Sequence, residues 1–450
     1  MHRGHNLTKY MAYDPTDRKS IEVRAKALVG KSLRQALEGL SVVHEYHGRG
    51  AFGLFLESFY FGIHPGNSSE PDFKEAGVEL KSFPLKRSKK GLVAKERISL
   101  GMIDYMSMPS ETWETSSFLK KNSDLLLIGF LHESDQDFLD YLVKIAELWE
   151  FPPEDIEIIK EDWKKIVAKV RVGKAHELSE GDTLYLGACT KGADSTGRRP
   201  QPNSKEMAKP RALCLKQAYV NAIIGRTLDG AEAVVKDIGQ LKKSASFEEL
   251  VAARFERFKD KPIDEIHTML GLGLVTPKPS KDHYAKLARL MMGVKGKKIE
   301  EFEKAGVVMK TIRLEQDGKP KESMSFPAFK YKELVKETWD DSTFKDMLER
   351  RFFFVVYQRD EKGELRFKKV KFWTIPTHDL EVEVGSVWEE TVQRIRAGKA
   401  DKLPGQKENL VAHVRPHARN SRDTDEAPDG KRLVKKCFWL NREYVGKTLI

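Results

Sequence analysis

Cysteine is scarce in this chain: the three residues among 450, Cys189, Cys214 and Cys437, stand far apart in sequence, with no Cys-x-x-Cys pair and no Cys/His ligand spacing. This argues against a disulfide framework and a zinc motif, and leaves small buried hydrophobes as the expectation for all three. Long apolar runs are missing too. The stretch Leu125 to Phe130 is far short of the roughly 20 residues a membrane helix needs, so no membrane association is expected. The first residues include basic side chains but no apolar segment followed by a small-residue cleavage site, which points to the cytoplasm. There is no Gly-x-x-x-x-Gly-Lys-Ser/Thr, and Gly271-Leu-Gly273 lacks the rest of a dinucleotide loop, so no nucleotide-driven motor is expected. His44-Glu45-Tyr46-His47 falls one residue short of a zinc-peptidase motif because position 48 is Gly48. His413 and His417 also lack supporting ligands and read as surface or partner-facing histidines.

What is abundant is charge. One third of the residues are ionic, and the net charge of +11 falls unevenly: residues 1–225 carry +2 and the remainder +9. A basic balance favours a polyanionic partner without naming it. A length of 450 residues exceeds what one hydrophobic core usually serves, so two domains are expected, placed at 1–230 and 231–450.

An internal repeat supports that division. Ala76 to Leu85 recurs at Ala305 to Leu314 with five of ten residues unchanged, but Glu79 has become Val308. Trp163, Val167, Arg171, Gly173, Lys174, Ala175 and Leu178 return 225 positions later as Trp388, Val392, Arg396, Gly398, Lys399, Ala400 and Leu403. Both Trp-containing blocks have the three- and four-residue apolar spacing of amphipathic helices, with Gly173 as a stop. Elsewhere in the first copy, helices are expected over 20–38, 50–62 and 154–172, and strands over 76–84, 97–105 and 124–131. The charged stretch from 229 to 262 also reads as helical.

The first copy carries the chemistry. On a strand, Glu79 and Lys81 project from one side while Leu80 points to the other. Asp72, following Pro71, brings a second carboxylate toward Glu79. Two carboxylates and a backbone carbonyl, that of Leu80, make a hard-oxygen site suited to Mg2+. Such an ion can supply hydroxide and offset charge at a phosphodiester, with Lys81 as an added fixed cation. Glu57 stands in an apolar helical run, where it serves metal coordination or base assistance, or else lies on the helix surface. Glu-x-Lys alone is common on solvated faces; the preceding Pro-Asp and its spacing give the pattern its meaning.

The run of Glu57, Glu70-Pro71-Asp72-Phe73, Gly77-Val78-Glu79-Leu80-Lys81 and Trp113-Glu114-Thr115-Ser116 resembles the MutH mismatch-repair endonuclease family over most of residues 20–225. The double-length layout is similar to restriction enzymes built from two MutH-like domains that cut at GATC. The resemblance implies a mixed α/β fold, with two restriction-endonuclease-like domains in tandem and a degenerate second copy. It also implies type II double-strand cleavage with Mg2+, and metal or catalytic roles for Asp72, Glu79 and Lys81, with Glu57 as an auxiliary carboxylate. A further lysine is implied at Lys121, with Lys120 as the alternative. DNA contacts are implied at Lys191, Gly192, Arg211 and Lys216. Where the family has arginine and tyrosine this copy has Cys189 and Cys214, whereas the second copy keeps a basic-aromatic set, Arg415, Arg419, Asn420, Trp439 and Arg442. Ala288, Glu301 and Val308 are expected near the positions of Glu57, Asp72 and Glu79, leaving Lys310 without a carboxylate partner. The implied partners are double-stranded DNA, a cognate DNA methyltransferase and a second copy of the chain on DNA. The rival reading is a DNA-binding repair or regulatory protein that nicks or has lost cleavage.

Overall fold

A computed structural model describes residues 13–38, 46–48, 50–64, 66, 69–88, 91–191, 197–225, 230–244, 246–273, 280 and 282–449. The chain folds into two compact units. One comprises Met1–His176, Thr183–Ala231 and Glu303–Gly306; the other comprises Glu177–Asp182, Glu232–Phe302 and Val307–Ile450.

The first unit begins with α1 (Arg18–Lys26), capped by the Asp17 carboxylate on the Lys19 and Ser20 amides. The single helix expected over 20–38 is in fact two. Gly30, at φ 86°, ends the first turn of chain, and Ser32 with Gln35 forms a capping box that starts α2 (Leu33–Ala36). Next, α3 (Ala51–Phe55) runs into a π-helical turn, Leu56–Phe61, closed by left-handed Gly62. These helices cover one face of a mixed sheet of β1 (Val78–Ser88), β2 (Gly91–Ala94), β4 (Asp124–Leu131) and β5 (Val143–Glu150), in the order β2-β1-β4-β5. The strand numbered between them, β3 (Ile98–Met102), joins a second, antiparallel sheet with β6 (Leu186–Thr190) and β7 (Arg211–Leu215).

β1 and β4 are parallel, with Glu79 opposite Leu125 and Lys81 opposite Leu127. Seven consecutive residues of β4, Leu125 to Leu131, are buried, as expected of a central strand covered on both faces. Gly129 is required there: a Cβ would lie 3.0 Å from the Phe83 ring and 3.1 Å from Ile145 Cβ. Leu80, Leu126 and Ile128 pack with Phe52, Phe55, Leu56 and Phe61 in one core. Glu79 and Lys81 therefore emerge on the opposite face. Helix α4 (Ser117–Asn122), capped by Ser116, delivers the chain to β4, and α5 (Pro153–Arg171) buries Ile159, Trp163, Ile166, Val167 and Val170.

The second unit repeats this plan. β8 (Val308–Leu314) lies parallel to β9 (Phe352–Arg359), which lies antiparallel to β10 (Leu365–Trp373), matching β1-β4-β5. β11 (Ala412–Pro416) pairs with β12 (Lys436–Leu440) as β6 pairs with β7. A third sequence echo, missed above, confirms the register between copies. Glu111-Thr112-Trp113 and Ser116 match Glu337-Thr338-Trp339 and Ser342, and both serines cap the following helix.

Candidate active site

The Glu79 carboxylate is tied to the backbone of Asp72, and the Asp72 carboxylate to that of Leu80. Asp72 N–H donates to Glu79 Oε2 at 3.1 Å, and Leu80 N–H donates to Asp72 Oδ2 at 3.0 Å. The reciprocal pair clips the Pro71-Asp72 turn onto the start of β1. It also forces two acidic groups into one place, since Glu79 is only 1% exposed.

Two lysines face them. Lys81 Nζ donates to Glu79 Oε1, and Lys121 Nζ stands 3.5 Å from the same oxygen. Of the two neighbouring lysines, Lys121 stands toward Glu79, while the exposed Lys120 pairs with Glu70. Glu57, in the π-helical turn above, is half-buried. Its pKa is pushed up to about 7, first by burial and then by the charge of Asp72, against the opposing pull of Lys81. Burial also raises Glu79, Lys81 counteracts this, and Asp72 adds to the rise. The π turn is what aims Glu57: its carbonyl accepts from Gly62 N–H, one residue beyond the α pattern.

Among the described residues no three His, Cys, Asp or Glu side chains form a ready-made metal shell. The donor chemistry nevertheless fits a divalent ion. Asp72, Glu79 and the Leu80 carbonyl offer hard oxygen, Glu57 stands close by, and the burial that chiefly raises the Glu57 and Glu79 carboxyls, with the charge of Asp72 adding to it, is a cost that a cation would offset.

The expected DNA contacts divide sharply. Lys191 is exposed at the end of β6, whereas Gly192 lies outside the described residues. Arg211 and Lys216 are each 8% exposed and turn inward, Arg211 Nη1 donating to the Ala188 carbonyl at 2.6 Å and Lys216 Nζ to the Thr183 carbonyl. They brace strands rather than project into solvent. Cys189 and Cys214, distant in sequence, meet in one small buried cluster with Ala212. The register puts Arg415 and Trp439 at those same two places in the second unit.

There the Arg415 guanidinium lies 3.7 Å from the centre of the Trp439 ring. The two line an open pocket of about 810 Å3 with His417, Arg419 and Lys435. Lys435 was not singled out above, although it directly precedes the basic-aromatic run. Asn420 and Arg442 are exposed; Asn420 Oδ1 accepts from Arg422 N–H, and Arg442 pairs with Glu443.

The family model for the DNA mismatch repair enzyme MutH matches residues 61–162 and again 290–382, one segment in each copy. The type II restriction enzyme Sau3AI of Staphylococcus aureus is 35% identical over 462 aligned residues, covering 94% of this chain and 92% of that protein. The DNA mismatch repair protein MutH of Shewanella amazonensis is 28% identical over 46% of this chain and 93% of its own length. That of Vibrio campbellii is 26% identical over 48% of this chain and 96% of its own length. Single-copy MutH proteins thus span about half of this chain, while the restriction enzyme spans nearly all of it. The chain belongs to the MutH-related type II restriction endonucleases and is a site-specific deoxyribonuclease acting on double-stranded DNA.

Proposed function

We propose that the first unit cuts both strands of DNA at GATC with Mg2+, and that the second unit binds a copy of the target and assists without cutting. The observation that carries the reading is the clasp between Asp72 and Glu79, with two lysines on one Glu79 oxygen. Asp72, Glu79 and the Leu80 carbonyl would hold the ion, with Glu57 as a further oxygen donor or base. When bound, the ion makes water more acidic and draws charge from the phosphoryl oxygens.

The side chains do the rest. Lys81 holds the attacked phosphate and orients the water, and Lys121 adds positive charge where charge accumulates on the phosphoryl oxygens. Glu57, with a pKa near neutrality, accepts the proton released as the water oxygen bonds to phosphorus. The opposite P–O bond breaks, and its oxygen leaves with a proton from solvent. Lys191 in the first unit, and Arg415, Arg419, Asn420, Trp439 and Arg442 in the second, are the proposed DNA contacts. Arg211 and Lys216 position the strands behind them. A cytoplasmic setting, a methyltransferase that protects the same site and self-association on DNA complete the proposal.

Plasmid digestion with Mg2+ or with chelator, followed by sequencing of the product ends, tests it. Linear product with ends at GATC, formed only with the metal, is the expected result. Ends at another sequence overturn the specificity, and product formed in chelator overturns the metal chemistry.

A further inference from the structure

In the second unit, the strand equivalent to β1 carries a lysine with no partner among the described residues. Matching the two left-handed glycines, Gly62 at φ 68° and Gly293 at φ 84°, sets Ala288 where Glu57 stands. The repeat sets Glu301 at Asp72 and Val308 at Glu79, and the two capping serines set Met347 at Lys121. Across the sheet, the row Lys81–Leu127–Glu147 of the first unit becomes Lys310–Phe354–Lys371 in the second. Four acids and two lysines at these six positions have become one acid and two lysines. The remaining acid is committed elsewhere: Glu301 is buried and accepts from the Val234 and Val235 amides at 2.9 and 2.7 Å.

Lys310 is half-buried on the sheet face whose Ile312, Phe352, Phe354 and Trp373 belong to the unit's core. It makes no hydrogen bond or ion pair among the described residues. Burial pushes its pKa down, and no carboxylate among the described residues opposes this. A desolvated ammonium without a counter-charge is destabilising, and methionine would fill the place at less cost. Lys371, on the same face two strands away, spends one N–H on the Thr448 carbonyl at 2.6 Å and retains two donors. We infer that Lys310 and Lys371 form a binding site for a DNA backbone phosphate. Where the first unit cleaves a phosphodiester, the second grips one, with neither carboxylates to hold a metal nor a base to activate water.

The inference rests on the second unit binding DNA, and its test separates the two claims. In the full chain carrying Glu79→Gln, a short labelled duplex containing the site is titrated at several salt concentrations. The parent is expected to bind two duplexes. Lys310→Met should weaken the second event about 10-fold and flatten its log K against log salt slope by about 1, with Lys371→Met acting in the same direction. Lys310→Arg should retain binding, and the melting temperature of Lys310→Met should hold or rise. If Lys310→Met leaves the second event unchanged while Arg415→Ala removes it, the phosphate site is refuted and the DNA-binding unit stands. If the parent binds one duplex only, the DNA-binding reading falls and takes the inference with it. A Lys310→Met chain that melts earlier assigns the lysine to structure and also overturns the site.

Discussion

Replacing Glu79 by glutamine keeps the shape of the clasp and removes its charge. The amide oxygen can still accept from Asp72 N–H, now at 3.1 Å, so the turn should stay on β1. What is lost is a carboxylate with 1% exposure that faces Lys81 and, at 3.5 Å, Lys121. At an effective dielectric of about 20, unit charges about 4 Å apart interact by about 4 kcal/mol, and a divalent ion doubles that. If relaxation of solvent and neighbours recovers half, about 4 kcal/mol of ion capture remains lost, or about a thousandfold in occupancy. Cleavage of a one-site plasmid under single-turnover conditions should therefore fall about 10³-fold at sub-saturating Mg2+, with part of the loss recovered as Mg2+ is raised. Affinity for uncut duplex in chelator should hold or increase, because a negative charge has left the phosphate path. Cleavage within 10-fold of the parent would refute the assignment of Glu79. Loss of duplex affinity in step with cleavage would show that the change had damaged the fold instead.

The two neighbouring lysines give a second contrast: Lys121→Ala should reduce single-turnover cleavage about 100-fold, whereas Lys120→Ala, which breaks only an exposed pair with Glu70, should stay within about twofold. Asp162 accepts from the Leu184, Tyr185 and Leu186 amides at 2.8, 2.6 and 3.0 Å and so pins α5 to the start of β6. Asp162→Asn should destabilise the first unit by about 2–4 kcal/mol, read as an earlier urea midpoint by tryptophan fluorescence, and an unchanged midpoint would discount that anchor. In the second unit, burial pulls the Lys345 pKa down, but its bonds to Asp340 and Glu381 outweigh this and leave it raised above 10.5. The stabilisation from that pair is accordingly complete below pH 10.5 and lost as pH climbs through the raised value; Lys345→Met should flatten this alkaline limb in a pH series of melting temperatures.

The cluster proposed as catalytic was legible in the sequence because it is local. Asp72, Glu79 and Lys81 lie within ten residues, and strand alternation alone puts two of them on one face. Glu57 was visible as an acid in an apolar run, but its direction depends on a π turn that periodicity does not reveal. The choice between Lys120 and Lys121 could not be read, since adjacent helical residues point about 100° apart and only the docking of α4 determines which faces Glu79. Arg211 and Lys216 misled for a related reason: a basic residue on a short strand looks the same in sequence whether it meets DNA or a backbone carbonyl. Distance along the chain concealed the meeting of Cys189 with Cys214, which exists only because β6 and β7 are neighbours.

The divergence of the two copies follows from the physical cost of an active site. Glu79 and Glu57 are partly desolvated acids close to Asp72, and their raised pKa values record the penalty the first unit carries in order to attract a cation. A copy released from cleavage can shed that penalty by substituting hydrophobes. The second unit has done so at the positions of Glu79 and Glu57, where Val308 packs against its core and Ala288 is fully buried, and Met347, also against the core, replaces Lys121. It has not done so at Lys310, which retains a desolvation cost without the carboxylate that balances Lys81. Relaxation of an idle site would be expected to remove an unpaired cation along with the acids, since the same apolar surroundings penalise both. Loss of three acids and of the lysine equivalent to Lys121, with Lys310 kept and a lysine at the position of Glu147, instead reverses the sign of the site while preserving its place on the sheet. On the proposed reading the two units use one scaffold to meet the same polyanion in opposite ways, one through carboxylates that would recruit a metal and one through cations that would engage the phosphate directly.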